Sequence, residues 1–423
     1  MILFETGSPT TSLSREQLCE GLHMALDRLG ERRRVLVLPP DITRVHSRAG
    51  CLTCAAHQYY GDRIADIMPA TGTHEPMTDA ELARMFPGVP RSLFRNHDWR
   101  HDIQSIGVVP SSEVSRVTAG RLAFDWDAQV NRLVVNGGHD LVLSIGQVVP
   151  HEVVGMANHN KNILVGTGGH DNIHKTHYVG AVCGMEDIMG RIDTPVRRLL
   201  NKAMDDFLSH VPVVYVQTVI ARDEAGALCV RGLFVSDGDE AFQKAAELAQ
   251  RVNIHLLDAP IRKAVVYLEP GEFRSTWLGN KSIYRTRMAI ADGGELLVLA
   301  PGLRTFGEDQ QIDALIRKYG YRTTPETLQA VEANADLAGN LAAAAHLIHG
   351  SSENRFRITY CPGQLTRQEI ESVNYTYGDL EPAMARYPVT QLADGFNTLP
   401  DGEEIFFVSN PALGLWAQRS RFT

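Results

Sequence analysis

Two α/β domains are what the order of apolar runs and amphipathic segments predicts for this chain of 423 residues. The larger, N-terminal domain is expected to hold a mostly parallel sheet, and the smaller, C-terminal one a second α/β unit. Three observations carry the prediction. Short continuous apolar runs such as Val35–Leu38 read as strands buried on both faces. Segments with helical spacing alternate with these runs, as parallel crossovers require. Composition shifts near residues 255–260, which puts the boundary between domains 1–257 and 258–423, with the last residues expected to pack back on the first domain.

In order, residues 14–34 carry Leu18, Leu22, Ala25, Leu26 and Leu29 at helical spacing, opened by Ser14 with Gln17 as a capping box. The strand from Val35 ends in a polar loop holding Asp41, Thr43, Arg44, His46 and Ser47. An amphipathic segment at 59–66, a strand at 66–69, the loop through Gly72-Thr73-His74 and a helix capped by Thr78 repeat that plan. Residues 102–121 read as β-rich, and 132–135 and 140–145 as strands. A glycine- and histidine-rich stretch at 150–181 lacks helical periodicity and reads as a loop. Then come a helix at 194–208, a strand at 211–221 and a helix at 240–252. Beyond the boundary, strands are expected at 263–268, 295–300, 356–360 and 404–408, and helices at 310–318, 325–333, 337–349 and 367–373. Each polar loop follows a strand, where open parallel sheets bind ligands.

Composition narrows the class. Apolar content of 44% and charged content of 22% are those of a globular protein, and a net charge of −9 argues against nucleic acid as partner. No apolar run is long enough to predict a membrane span. No secretory signal is visible, and six cysteines suit a reduced compartment, so a cytoplasmic location is expected.

The chemistry concentrates in the stretch 150–181, where His151, His159, His170, His174 and His177 gather, with His139 just upstream, out of 16 histidines in all. Imidazole is a middling core residue whose particular uses are proton transfer and metal ligation. His151, Lys161 ten residues on and His177 a further sixteen on are compatible with a metal site or a proton shuttle, with a lysine able to bond to a cofactor. Asp41-Ile-Thr-Arg44 reads either as a helix cap with a solvated arginine or as a grip on an anion. His74 is a candidate acid or base, or a structural histidine. Cys51-Leu-Thr-Cys54 lacks the second pair that zinc needs and reads as two thiols on a helix turn. Gly166-Thr-Gly-Gly169 fits neither nucleotide fingerprint, although its amides could cradle an anion.

Taken together, Pro40-Asp41-Ile-Thr-Arg44, Gly72-Thr73-His74, Pro150-His151, Lys161-Asn-Ile-Leu-Val-Gly166 and His177 resemble the nickel-dependent lactate racemase family and its 2-hydroxyacid racemase and epimerase relatives. Asp193-Thr-Pro195-Val-Arg197 echoes a helix start of the same family. The resemblance implies a nickel-pincer nucleotide joined covalently to Lys161, with His177 as nickel ligand. It implies His74 and His151 as the acid/base pair, and Asp41, Thr43, Arg44 and Gly166 around the cofactor. The implied reaction inverts C2 of a 2-hydroxy acid by reversible hydride transfer, in the cleft between the two domains. Two near-neutral bases suit a reversible inversion, and soft ligands with one imidazole suit nickel. Cofactor maturation proteins are implied as partners, and a homo-oligomer is compatible. One segment departs: Tyr284-Arg-Thr-Arg287-Met288 puts methionine where relatives acting on lactate carry lysine. This leaves Tyr284, Arg285, Arg287 and Arg44 to bind substrate and favours a hydroxylated acid such as gluconate over lactate or malate. A non-catalytic cofactor- or nickel-binding homologue and a metal-dependent hydrolase or lyase are the alternatives.

Overall fold

The computed structural model describes residues 1–223, 226–412 and 414–422. It divides into two compact units, residues 1–179 with 188–253 and residues 180–187 with 254–423. The division falls at 253/254 rather than 257/258, and a short internal segment that no composition shift marks clusters with the second unit.

Along the chain run β1 (Ile2–Gly7), α1 (Arg15–Leu29), β2 (Val35–Leu38), α2 (Ala49–Tyr60), β3 (Ile64–Ile67), α3 (Asp79–Met85), β4 (Ile103–Val109), α4 (Ser111–Val117), β5 (Trp126–Asn131) and α5 (Arg132–Asn136). There follow β6 (Leu141–Gln147), a small hairpin of β7 (Pro150–His151) and β8 (Gly155–Met156), then α6 (Asn160–Leu164), α7 (His170–Cys183), α8 (Met185–Ile188), α9 (Pro195–Phe207), β9 (Val213–Arg222), β10 (Leu228–Ser236) and α10 (Asp239–Asn253). The main sheet of the first unit has the order β1-β10-β9-β6-β2-β3. Strands β3, β2, β6 and β9 are parallel, and β10 and β1 close one edge antiparallel. From β2 the chain moves outward to β3, whereas from β6 it moves the other way to β9. The gap between the carboxyl ends of β2 and β6 is therefore the topological switch point, where such sheets bind ligands. One face of the sheet packs α1, α2 and α3 through Leu18, Leu22, Leu52 and Met85.

The caps read from sequence are present. Ser14 and Gln17 form a capping box on α1, and Thr78 and Glu81 form another on α3; Thr194, not read as a cap, also caps α9 ahead of Pro195.

Several expectations need correcting. Residues 132–135 are helical, because the Asn131 side chain accepts from Leu133 N at 2.9 Å and caps a turn at the end of β5. The β-rich reading of 102–121 holds only to Val109, and α4 begins at Ser111. The amphipathic segment placed at 59–66 is α-helical only to Tyr60, at the end of α2, with a 3-10 turn at Gly61–Arg63, and the strand placed at 66–69 runs from Ile64 to Ile67. The stretch 150–181 contains α6 and α7; its polar side chains, among them Asn162, Asn172, His174 and Thr176, are buried, which hides the helical period from a hydrophobicity count. Strands β1 and β10, an edge pair, had not been expected.

In the second unit, β11 (Ile254–Leu257), β12 (Ile261–Tyr267), β13 (Ile290–Ala300), β14 (Arg357–Pro362), β15 (Thr376–Tyr377), β16 (Gly395–Thr398), β17 (Glu404–Val408) and β18 (Leu415–Gln418) follow in sequence. The sheet has the order β15-β14-β13-β12-β17-β16, parallel except for the β16 edge. β18 pairs in parallel with β11, and Arg421 reaches Ile290 O at 3.3 Å and Asp292 at 2.9 Å. The last residues, expected to return to the first domain, are thus built into the second unit.

Thr194 accepts from Arg197 N at 3.1 Å and donates to Val154 O at 3.2 Å, so it joins α9 to the β7–β8 hairpin. Thr194→Ala is expected to cost about 1–2 kcal/mol, read from the urea midpoint at unchanged slope; a shift within error would show the cap to be dispensable.

Candidate active site

Three loops at the carboxyl ends of β2, β3 and β6 supply the site. After β2, Asp41 caps a 3-10 turn at Ile42–Ser47 by accepting from Thr43 N at 3.1 Å and from the Thr43 hydroxyl. Its second oxygen meets His74 Nδ1 at 2.6 Å. Asp41 is buried whereas the His74 side chain is 54% exposed, so the imidazole stands at the mouth with its carboxylate behind it. Burial alone would push the Asp41 carboxyl up; the hydrogen bond and charge of His74, with the donors of Thr43, outweigh this and hold it below the usual carboxylate range. Asp41 is therefore ionised and accepts from His74 Nδ1–H.

The loop after β3 is tied to α6 rather than standing free. Gly72, at φ +58°, donates its N–H to Gly166 O at 2.9 Å. A side chain on Gly166 would place its Cβ 2.5 Å from Asn162 O and 2.9 Å from Ala70 Cβ. The glycine expected to touch a cofactor thus has a second reason to be there, the close approach of two backbones.

After β6, the hairpin turns His151 inward. It is buried, and its Nδ1 accepts from Val153 N at 3.1 Å. Burial drives its pKa well below the ordinary histidine value; Glu152 opposes this, and the charges of Lys161, Arg44 and His177 add to it. Those terms act over short range, so His151, Lys161, Arg44 and His177 share one electrostatic neighbourhood.

Lys161 is presented by an unusual piece of backbone. Asn158 and His159 both lie in the left-handed region, at φ +70° and +59°, a conformation that costs non-glycine residues on the order of 1 kcal/mol each. Buried Arg197 holds them there by donating to Met156 O at 2.5 Å and Asn158 O at 3.3 Å. The His159 ring packs between Tyr215 and Phe242, with centroids 3.9 and 4.9 Å away. Asn162 then donates to Leu38 O at 3.1 Å and Ser144 Oγ at 2.9 Å, bridging β2 and β6. Burial lowers the Lys161 pKa to about 8; Arg44 and Arg197 push the same way, against Glu152 and Asp41. Roughly a tenth of its amine is therefore neutral and nucleophilic at pH 7, far more than for a lysine of ordinary pKa.

His177, on α7, donates Nδ1–H to Ile173 O at 2.6 Å, which fixes the tautomer and leaves Nε2 free to ligate. Burial first, then the Lys161 charge, lowers its pKa to about 4, so the ring stays neutral.

The structure thus brings Asp41, Thr43, Arg44, His74, His151, Lys161, Gly166 and His177 to one end of the first unit's sheet. Tyr284, Arg285 and Arg287 lie in the second unit, on and just after the helix Lys281–Thr286. All three are buried. Tyr284 OH bonds to His346 Nδ1 at 3.0 Å, and Arg287 donates to Ser351 O at 3.1 Å and reaches Glu186 at 3.4 Å. His170 and His174 stack on each other and on Trp99. Sequence reading missed Arg197, Glu152, Asn158 and Asn162. Arg197, in the helix start at Asp193, and Asn162, beside Lys161, left a signal as motif residues, but their buried contacts could not be inferred from it.

An Asp-supported histidine, a buried neutral histidine, a near-neutral lysine and an imidazole with a free Nε2 at the switch point of an α/β sheet define an acid/base site built to take a cofactor. Residues 21–187 match the lactate racemase N-terminal domain. No curated protein matches the chain. Among solved structures it is similar to a Thermotoga maritima protein at 23% identity, with a TM-score of 0.81 over 98% of this chain and 100% of that one. It is also similar to the lactate racemase apoprotein from Thermoanaerobacterium thermosaccharolyticum, at 16% identity and a TM-score of 0.71 over 96% and 93% of the two chains. Both likenesses show the fold.

Two outcomes follow from the site's electrostatics. An amine-reactive reagent applied at pH about 8 should label Lys161 ahead of the lysines of ordinary pKa, as mapped by peptide mass; uniform labelling would contradict the lowered value. On acidification, the unfolded chain takes up a proton at His177 near its ordinary pKa of 6.5, whereas the native site resists until about 4. Stability should therefore fall as pH drops through that window. His177→Gln should flatten the fall in thermal melts, and an unchanged slope would contradict the assignment.

Proposed function

We propose that the chain is a 2-hydroxyacid racemase or epimerase that carries a nickel-pincer nucleotide on Lys161. The observation that carries this reading is the pairing of a near-neutral Lys161 amine with a His177 whose Nδ1–H is committed to Ile173 O, beside the Asp41–His74 pair. The surrounding residues fit such a group. Gln147, Asn158 and Gln217 are buried near the carboxyl end of β6 and the neighbouring middle of β9 with both amide atoms unpartnered, and the buried Thr71 hydroxyl is also unpartnered. Native proteins rarely leave so many buried polar atoms unsatisfied, so this end of the sheet suits a polar ligand. Lys161 would form the covalent link, His177 Nε2 would ligate the metal, and Arg44 would meet an anionic group.

When bound, the cofactor supplies an acceptor for hydride from C2. The chain's own residues handle the proton. His74 Nε2 takes it from the substrate hydroxyl while Asp41 holds the ring and stabilises the charge that forms. His151 lies deeper and is buried. A protein that only stored the cofactor would need no base backed by a buried carboxylate. Within this reading the proposed substrate is a hydroxylated acid such as gluconate. Met288, where lactate-active relatives would carry lysine, is 1% exposed and offers no charge to a small acid's carboxylate.

Co-expression with cofactor maturation proteins should yield a mass adduct on Lys161, and Lys161→Ala should lose both adduct and activity. A panel of sugar acids, lactate and malate, followed by proton NMR in deuterated water, should show inversion with the C2 hydrogen retained. Exchange of that hydrogen, or unmodified protein with bound zinc despite the maturation proteins, would sink the reading.

A further inference from the structure

Helices α1 and α2 lie side by side in parallel, joined by three pairs of residues that share one sequence separation of 32. Tyr59 OH donates to Asp27 at 2.7 Å, His23 Nε2 donates to Ala55 O at 3.2 Å, and Cys19 Sγ stands 3.8 Å from Cys51 Sγ. Each helix advances by four residues per rung, about one turn. The two thiols therefore occupy seam positions of a regular packing. Both cysteines are half-buried, so a small oxidant can reach them. The third thiol nearby is set apart. Cys54, the other half of Cys51-Leu-Thr-Cys54, is buried, and its Sγ donates to Pro87 O at 3.5 Å. The thiol rung lies at the site end of the first unit. Cys51 stands in the first turn of α2, three residues past Arg48, which ends the 3-10 turn opened by Asp41. The chain between the two cysteines contains β2 together with Asp41, Thr43 and Arg44.

From this placement we infer a modification site apart from the acid/base residues: on exposure to a peroxide, Cys19 and Cys51 form a reversible disulfide that staples α1 to the start of α2. The staple needs neither cofactor nor hydroxy acid and stands whether or not the chain is a racemase. A disulfide requires its sulfurs to close to about 2 Å. Cys51 sulfur attacks one peroxide oxygen, the O–O bond breaks, and Cys51 becomes a sulfenic acid as water leaves. Cys19 sulfur then attacks the Cys51 sulfur, the S–O bond breaks, and the oxygen leaves as a second water with the Cys19 proton. Two thiols are oxidised by two electrons and the peroxide is reduced to water. A dithiol reverses the bridge by exchange and is itself oxidised to a disulfide. The surroundings set the order. Burial, and then Cys51 alongside, pushes the Cys19 thiol up to about 11, which makes it slow to attack first. Cys51 lies at the electropositive start of α2.

The test maps the bridge in the full-length chain. The protein is treated with hydrogen peroxide in slight excess, its remaining thiols are blocked, and it is digested without reductant for mass spectrometry. A linked pair of peptides joining Cys19 to Cys51 is expected, lost again after dithiothreitol and retained in Cys54→Ser. In Cys19→Ser, which lacks the second thiol, a cyclic diketone should trap a sulfenic acid on Cys51. A bridge to Cys54 from either partner, linkage only between separate chains, higher acids of Cys51 without a bridge, or unmodified thiols overturns the pairing. A sulfenic acid found on Cys19 in Cys51→Ser, with none on Cys51 in Cys19→Ser, overturns the order of attack. Because the bridge closes a separation of 32 residues, the oxidised chain should melt about 5 °C or more above the reduced one, a shift that Cys19→Ser abolishes. Equal melting of bridged and reduced protein overturns the staple.

Discussion

One side-chain amide holds the site together. Asn162 donates to the last carbonyl of β2 and to the Ser144 hydroxyl on β6, spanning the two strands at which the sheet reverses its order. At a switch point neighbouring strands diverge in the connections they feed, which opens a crevice there. A buried amide across that crevice satisfies backbone and side-chain groups together. It also sets the height at which α6 rests, and hence where Lys161 stands. The loop carrying His74 is bound to the same segment through Gly166, so a displacement of α6 would be felt by the lysine and the exposed histidine together.

Electrostatics then divide the labour. The buried ionisable groups of this neighbourhood lose hydration, and they respond according to their partners. Asp41 has a histidine and a threonine to stabilise its charge and remains a carboxylate. Lys161 lies near two arginines and is driven toward its neutral form. Among the described residues no carboxylate lies within hydrogen-bond distance of His151 or His177, and both stay neutral. Residues with ordinary reference values thus become an anion, a nucleophile and two neutral imidazoles through burial and neighbours alone.

Much of this could be read from the residues before any coordinates. Alternation of buried runs and amphipathic segments gave the α/β class, because parallel strands covered on both faces leave a plain hydrophobic signature. Ser14–Gln17 and Thr78–Glu81 gave helix starts, since a capping box is a local interaction. What escaped was of two kinds. Helix α7 hides because its buried face is polar, so periodicity in hydrophobicity says nothing about it. Arg197 hides because its importance lies in carbonyls contributed by a distant stretch, and no local pattern marks a contact of that kind. The carboxylate behind His74 was available as a motif residue, but its pairing with that histidine came only from folding two strand-end loops together.

The consecutive left-handed residues before α6 have a consequence for biosynthesis. Asn158 and His159 take up their conformation against Arg197, Tyr215 and Phe242, all of which lie further along the chain. While these are still unmade, Lys161 belongs to a segment with no support for its backbone and no burial to neutralise its amine. Its chemical reactivity is thus acquired late, with completion of the first unit. Any covalent loading of this lysine belongs after that step, as a modification of a folded protein rather than of a nascent one.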